Sequence, residues 1–279
     1  MEIGIKVAPH HVEWETLLGV AQIADQVEIF DQFWNFDHFY PIKGDTAGPC
    51  LEAWVTLTGI AQATNRIRIG CMVNGVHYRH PAVLANMASA LDIVSQGRFE
   101  LGLGAGWNEL ESGAYGIELG TLKERFDRFD EALIVVSSLL SEETTSFSGK
   151  YYTLQDARNE PKGPQQPLPI CIGGTGEKRT LRSVAHHATH WNLPIFEDRL
   201  FKQKYEVLNT HCENIGTNIE DIKVSTHVFV EEETTSASVI SEILHQNQSG
   251  IEQSILYFQP PIHLKQVEQI TNALMSEFR

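Results

Sequence analysis

Arg98-Phe-Glu-Leu-Gly-Leu-Gly-Ala-Gly-Trp107 is the stretch on which the reading of this chain turns. Apolar side chains at 99, 101 and 103 alternate with Glu100 and with glycines at 102, 104 and 106. That is the period of a strand whose second face is nearly bare. A strand end with so little bulk leaves room for a flat group to approach its backbone. Asn108, Glu109 and Glu111 follow at once and supply polar atoms. A glycine-rich strand packed under a bulky neighbour has the same pattern, so the segments on either side must decide.

Working upstream, residues 66–73 (Arg-Ile-Arg-Ile-Gly-Cys-Met-Val) read as a strand. A loop over 74–80 leads to Pro81, suited to the first turn of a helix, with Leu84, Met87, Ala88, Leu91 and Val94 on its buried face. Before them stand two more strand-then-helix units, 32–37 with 51–64 and 3–9 with 14–26. Downstream, Thr121-Leu-Lys-Glu124 has capping-box spacing, and the stripe Leu122, Phe126, Phe129, Leu133, Val136, Leu140 steps by 4 and 3. The alternation pauses from 141 to 168, where 147–152 reads as a small hairpin and 161–169 is proline-rich. Strands over 168–174, 188–194, 223–230 and 254–259 then alternate with helices opening near 177, 198, 236 and 263. Eight strands alternating with eight helices predict an α/β fold, a (β/α)8 TIM barrel forming a single domain over 1–279, with an insertion at about 141–168.

Composition narrows the partners. The 21 Lys and Arg against 36 Asp and Glu leave a net charge of −15, which speaks against nucleic acid and anionic membranes. Met1-Glu2-Ile3-Gly4-Ile5-Lys6 is not the basic-then-apolar start of an export signal, and no apolar run reaches 18 residues, so the expected compartment is the cytoplasm. Cys50, Cys71, Cys171 and Cys212 are far apart with no Cys-x-x-Cys, which argues against a disulfide framework and a zinc knuckle.

A barrel of this kind carries its chemistry at the C-terminal ends of the strands. Gly173-Gly174-Thr175-Gly176 lies between a strand and a helix, where free N–H groups and the helix dipole favour phosphate. Asp37-His38 supplies a group that holds or releases a proton near neutral pH, and Glu109 is a second acid/base candidate. Gly102-x-Gly104-x-Gly106 misses the dinucleotide spacing, His186 and His190 lack the Glu of a His-Glu-x-x-His zinc motif, and no serine sits in a nucleophile elbow; no metal site is expected.

These strand ends, taken with the segments around them, resemble the bacterial luciferase-like flavin-dependent oxidoreductases, and within them the coenzyme F420-dependent branch. The resemblance is carried by Phe33-Trp-Asn-Phe-Asp-His-Phe39, Asn65-Arg-Ile-Arg-Ile-Gly70, Arg79-His-Pro-Ala-Val-Leu-Ala85, residues 91–107, Tyr115-Gly116 and Pro169-Ile-Cys-Ile-Gly-Gly174. It implies F420 or FMN lying across the strand ends and a hydride passed between that cofactor and a small organic substrate. Gly173 and Gly174 would then contact phosphate, Asp37 the cofactor's polar edge or tail, and Ala105 and Gly106 its ring. His38 would be the acid/base. A non-prolyl cis peptide at Met72-Val73 would support the ring from behind, and the protein would form a homodimer. Trp107 stands where some F420 enzymes carry Glu, and the chain lacks an obvious set of basic residues for a polyanionic tail, with Arg179 and Arg182 near the glycine loop, which keeps FMN in play. An FMNH2-dependent monooxygenase using O2 and a non-catalytic flavin-binding barrel are the alternative readings.

Overall fold

In a computed structural model describing residues 1–278, eight parallel strands close into a barrel. They are β1 (Glu2–Val7), β2 (Gln32–Asn35), β3 (Arg68–Gly75), β4 (Phe99–Gly104), β7 (Ile170–Gly173), β8 (His190–Leu193), β9 (Lys223–Val230) and β10 (Gln253–Phe258). Neighbours in the ring are neighbours in sequence, and β10 pairs with β1 to close it. The insertion carries the expected hairpin, β5 (Thr145–Ser148) against β6 (Thr153–Ala157).

The helices α1 (Trp14–Asp25), α2 (Ala53–Ala63), α3 (Pro81–Val94), α5 (Leu122–Ser141), α6 (Thr180–His187), α7 (Asp198–Ile215), α8 (Ser236–Gln248) and α9 (Leu264–Glu277) cover the ring. The capping box at Thr121 and Glu124 is formed in both directions. Leu122, placed by its spacing on the buried stripe of α5, is 63% exposed, because it precedes the turn at which the helix meets the barrel. Among the described residues no helix is long and apolar enough to cross a membrane.

Strand alternation sorts the side chains into two cores. Phe99, Leu101 and Leu103 of β4 face outward into the large cluster between barrel and helices. A smaller cluster of Trp34, Met72, Cys171, Ile255 and Val73 lies apart from it. Next to this inner cluster is a fully hydrogen-bonded polar group. Glu100 accepts from Gln32 Nε2 at 2.9 Å and pairs with His190 Nδ1 at 2.6 Å, while His190 Nε2 meets Ser225 Oγ at 2.6 Å. Glu100, Cys171 and His190 bring potential ligand atoms within 4.8 Å of one another, but the Glu and His atoms are spent on these bonds.

The glycines of β4 have a different task from the one their spacing suggests. A Cβ at Gly102 would stand 2.0 Å from the Cys71 carbonyl oxygen, and one at Gly104 would stand 2.8 Å from Val73 Cγ2. The register of β3 against β4 shifts between Cys71 and Asn74, across the Met72–Val73 peptide, which is cis as expected. The bare face of β4 therefore receives the bulge of β3, and Val73 fills the space otherwise left for a ligand.

Candidate active site

The C-terminal ends of the strands surround a cavity of about 460 Å³. Asp37, His38, Met72, Val73, Ala105, Gly106, Gly173 and Gly174 all line it. Thr175 and Gly176 do not, although the turn they belong to leads into α6, which begins without a side-chain cap. Thr180, the first residue of α6, does reach the cavity.

Glu109 is not brought to the mouth. Its side chain is 78% exposed and faces Arg125 at 3.6 Å. The acid that turns inward is Glu111, 0% exposed, which lies behind the lining residues His38 and Tyr78. The cause is a short helix absent from the sequence reading, α4 (Glu109–Ala114), capped by the Asn108 side chain, which accepts from the Glu111 N–H at 3.2 Å. Two residues apart on a helix are about 200° apart around its axis, so when one glutamate turns in the other turns out. The adjacent Asn and the Glu-x-Glu spacing were the available signal.

Glu111 organises the loop after β2. Its Oε2 accepts from His38 Nδ1 at 2.7 Å and from the Tyr78 hydroxyl at 2.6 Å. Its Oε1 accepts from the backbone N–H groups of Phe39 and Tyr40. Burial opposes ionisation of this carboxyl most strongly, yet the bonds from His38, Tyr78 and Phe39 outweigh it and hold the group down to about 2. A carboxylate can only accept, so His38 carries its proton on Nδ1, and its Nε2, without a partner among the described residues, is left for the cavity.

Asp37 borders the cavity but spends its carboxylate on Arg79, at 2.6 and 3.1 Å, and Arg79 also reaches Glu52 at 2.8 Å. Trp107 is 59% exposed and lies edge-on to His38, with 5.4 Å between ring centroids. It forms an apolar wall where an acid was anticipated. Arg179 bonds Asp127 and Asp130, and Arg182 bonds Asp130, all across to α5. Two of the cations near the glycine loop are therefore already paired, while Lys178, which precedes them, is exposed.

Sequence reasoning missed Lys6. It collected strand ends, whereas Lys6 lies inside β1, between the outward-facing Ile5 and Val7, with its side chain on the cavity. The alternation Gly4, Lys6 against Ile3, Ile5, Val7 was the signal. In a strand covered on both faces, the polar member of the alternation points into the barrel.

Comparison with known proteins agrees with this geometry. The model of the luciferase-like monooxygenase family matches residues 1–274. An F420-dependent glucose-6-phosphate dehydrogenase of Amycolatopsis mediterranei is 32% identical over 178 residues, 63% of this chain and 52% of that protein. An F420-dependent hydroxymycolic acid dehydrogenase of Mycobacterium tuberculosis is 34% identical over 176 residues, 62% and 48% of the two chains. The matched part thus spans about half the length of these relatives. An F420-dependent secondary alcohol dehydrogenase, solved with an F420–acetone adduct, shares the fold with a TM-score of 0.88 at 19% identity, covering 98% of this chain and 97% of its own.

Proposed function

The chain belongs to the luciferase-like monooxygenase family, and we propose that it is an oxidoreductase that holds F420 or FMN in the barrel mouth and passes a hydride between that cofactor and a small organic substrate. The observation that carries this reading is His38, fixed by a buried carboxylate through one nitrogen and open to the cavity through the other. The residues fit such a cofactor. The mouth is walled by apolar and aromatic groups, has a buried ammonium on its floor, and borders a helix start whose first-turn N–H groups lack a side-chain cap. Gly173 and Gly174 would face phosphate, and Met72, Val73, Ala105 and Gly106 the ring.

When bound, the cofactor supplies the hydride donor or acceptor. The chain moves the proton. His38 Nε2 takes it from a substrate hydroxyl as the carbon gives up hydride, or returns it to a carbonyl in reverse, while Glu111 keeps the ring oriented and in the Nδ1–H tautomer. Arg79 holds Asp37, and with it the segment that carries His38. Trp107 shields the reacting edge from water. The same reading treats the chain as one barrel domain, acting as a homodimer in the cytoplasm.

A second reading, an FMNH2-dependent monooxygenase using O2, is favoured by one observation. With Arg179 and Arg182 neutralised by Asp127 and Asp130, Lys178 alone of the three cations at 178–182 is left outside an ion pair among the described residues, and the glycine turn suits a single phosphate better than a polyanionic tail. Titrating the protein with FMN and with F420, followed by absorbance and fluorescence, decides between them. Micromolar binding of F420 supports the dehydrogenase, micromolar binding of FMN alone supports the monooxygenase, and binding of neither sinks the proposal.

A further inference from the structure

The floor of the cavity holds a cation without a counter-ion. Lys6 is 5% exposed, and its Nζ donates to the Met72 carbonyl at 3.1 Å and faces His227 Nε2 at 3.4 Å. His227 Nδ1 lies 3.0 Å from the Pro194 carbonyl, so that nitrogen carries the ring proton and Nε2 keeps its lone pair for Lys6. The ring of Tyr257 lies 4.5 Å from Nζ and that of Phe36 6.0 Å. These neighbours, from β3, β9, β10 and the segment just after β2, are all neutral. Burial keeps His227 well below the usual imidazole range and lifts the thiols of Cys71 and Cys171 well above theirs. Among the described residues Lys6 forms no ion pair within 4.0 Å.

Three buried carboxylates around the strands are handled differently, although Asp92 on α3 is held by Gln165 alone. Asp37 has Arg79, Glu100 has His190 and Glu111 has His38. Taking an ammonium out of water without an opposite charge is costly. Burial accordingly pulls Lys6 down to about 8. Two of its three N–H bonds have acceptors, which leaves one, together with the charge, for the cavity.

We propose that Lys6 is a binding residue for an anionic oxygen or ring nitrogen at the cavity floor, supplied either by the reduced cofactor or by the substrate. This rests on the reading of the mouth as a flavin-type site. A ring that has gained a hydride without a proton carries one negative charge more than its oxidised form, and a fixed cation favours that state. His227 and Tyr257 hold the ammonium in place without neutralising it.

The test compares the wild type with Lys6→Met and Lys6→Gln, measuring Kd for oxidised and reduced FMN and F420 under anaerobic conditions, with a circular-dichroism melt on each variant. Both variants should fold, since neither buries an uncompensated charge. If the reduced cofactor is the anion, both lose about tenfold or more of the preference for the reduced form, while the oxidised form binds within about threefold of wild type. If the substrate is the anion, that preference is unchanged, but benzoate, titrated calorimetrically, binds wild type about tenfold or more tightly than either variant. Equal loss for every ligand, no loss for any, or unfolding of the Met variant with Gln fully wild type in binding, assigns Lys6 to structure and overturns the proposal. Failure of the wild type to bind either cofactor overturns the flavin-type reading alone. The benzoate arm still decides Lys6 in that case.

Discussion

The barrel contains two buried histidine–glutamate pairs of nearly equal length, His38–Glu111 at 2.7 Å and His190–Glu100 at 2.6 Å. In both, Nδ1 meets the carboxylate, and both glutamates are held down to about 2 against burial, Glu111 by its hydrogen bonds and Glu100 first by charge attraction to His190 and then by bonds from His190 and Gln32. They differ at the far nitrogen. His190 Nε2 is closed off by Ser225, whose hydroxyl is also bonded by Asn192, whereas His38 Nε2 is left to a cavity. An imidazole paired with a glutamate is thus a structural clamp when both nitrogens are spent, and has a nitrogen available to a bound molecule when one is open. The pair alone does not distinguish the two roles.

The largest expected effect is on the open pair. His38→Ala should lower turnover by about 10² to 10⁴, with cofactor affinity within a few-fold of wild type, as measured by steady-state kinetics beside a binding titration. A variant that keeps turnover would show that the proton moves elsewhere. The closed pair should respond in the opposite manner. Glu100→Ala leaves His190 and Gln32 without their shared acceptor and should cost about 3–5 kcal/mol of stability in denaturant unfolding, with little change in kcat for the folded fraction. Loss of kcat with stability intact would erase the distinction between the pairs.

A smaller effect separates positioning from proton transfer. Glu111→Gln keeps an acceptor for His38 Nδ1 but removes the carboxylate charge that faces the ring, and should lower kcat by roughly tenfold to a hundredfold while changing KM little. A shift in the pH profile of kcat should accompany it, which a purely structural role would not produce. The smallest effect lies in acid. Both glutamates titrate lower in the folded chain, at about 2, than the ordinary 4.5, so the stability they supply is full above about 4.5 and is lost as pH falls from there toward 2. Unfolding followed by circular dichroism between pH 6 and about 2.5 should show a decline that is shallower in Glu111→Gln. An unchanged slope would mean that the carboxyl is not held ionised by His38 and Tyr78.

Much of the barrel was legible in the sequence because it is written in local periods. The alternation from Phe99 to Leu103, the capping box at Thr121 and the hairpin within 145–157 each depend on residues close in the chain. His38 was legible for the same reason, because the end of a barrel strand is a place that periodicity can locate. The purpose of the β4 glycines was not. Their bareness serves Val73 and the Cys71 carbonyl on the neighbouring strand, which local spacing cannot reveal.

The amino-acid sequence by itself determined the eight strand-and-helix units, the ring they close and the end of it that carries chemistry, since hydrophobic period and strand ends are properties of short segments. Only the tertiary structure decided which glutamate serves His38. Glu109 and Glu111 are equal as letters, and a six-residue helix turns one to solvent and the other under the Asp37-His38 loop. It also decided that Lys6 stands among neutral groups, because the absence of a partner charge depends on what three other strands bring to that point.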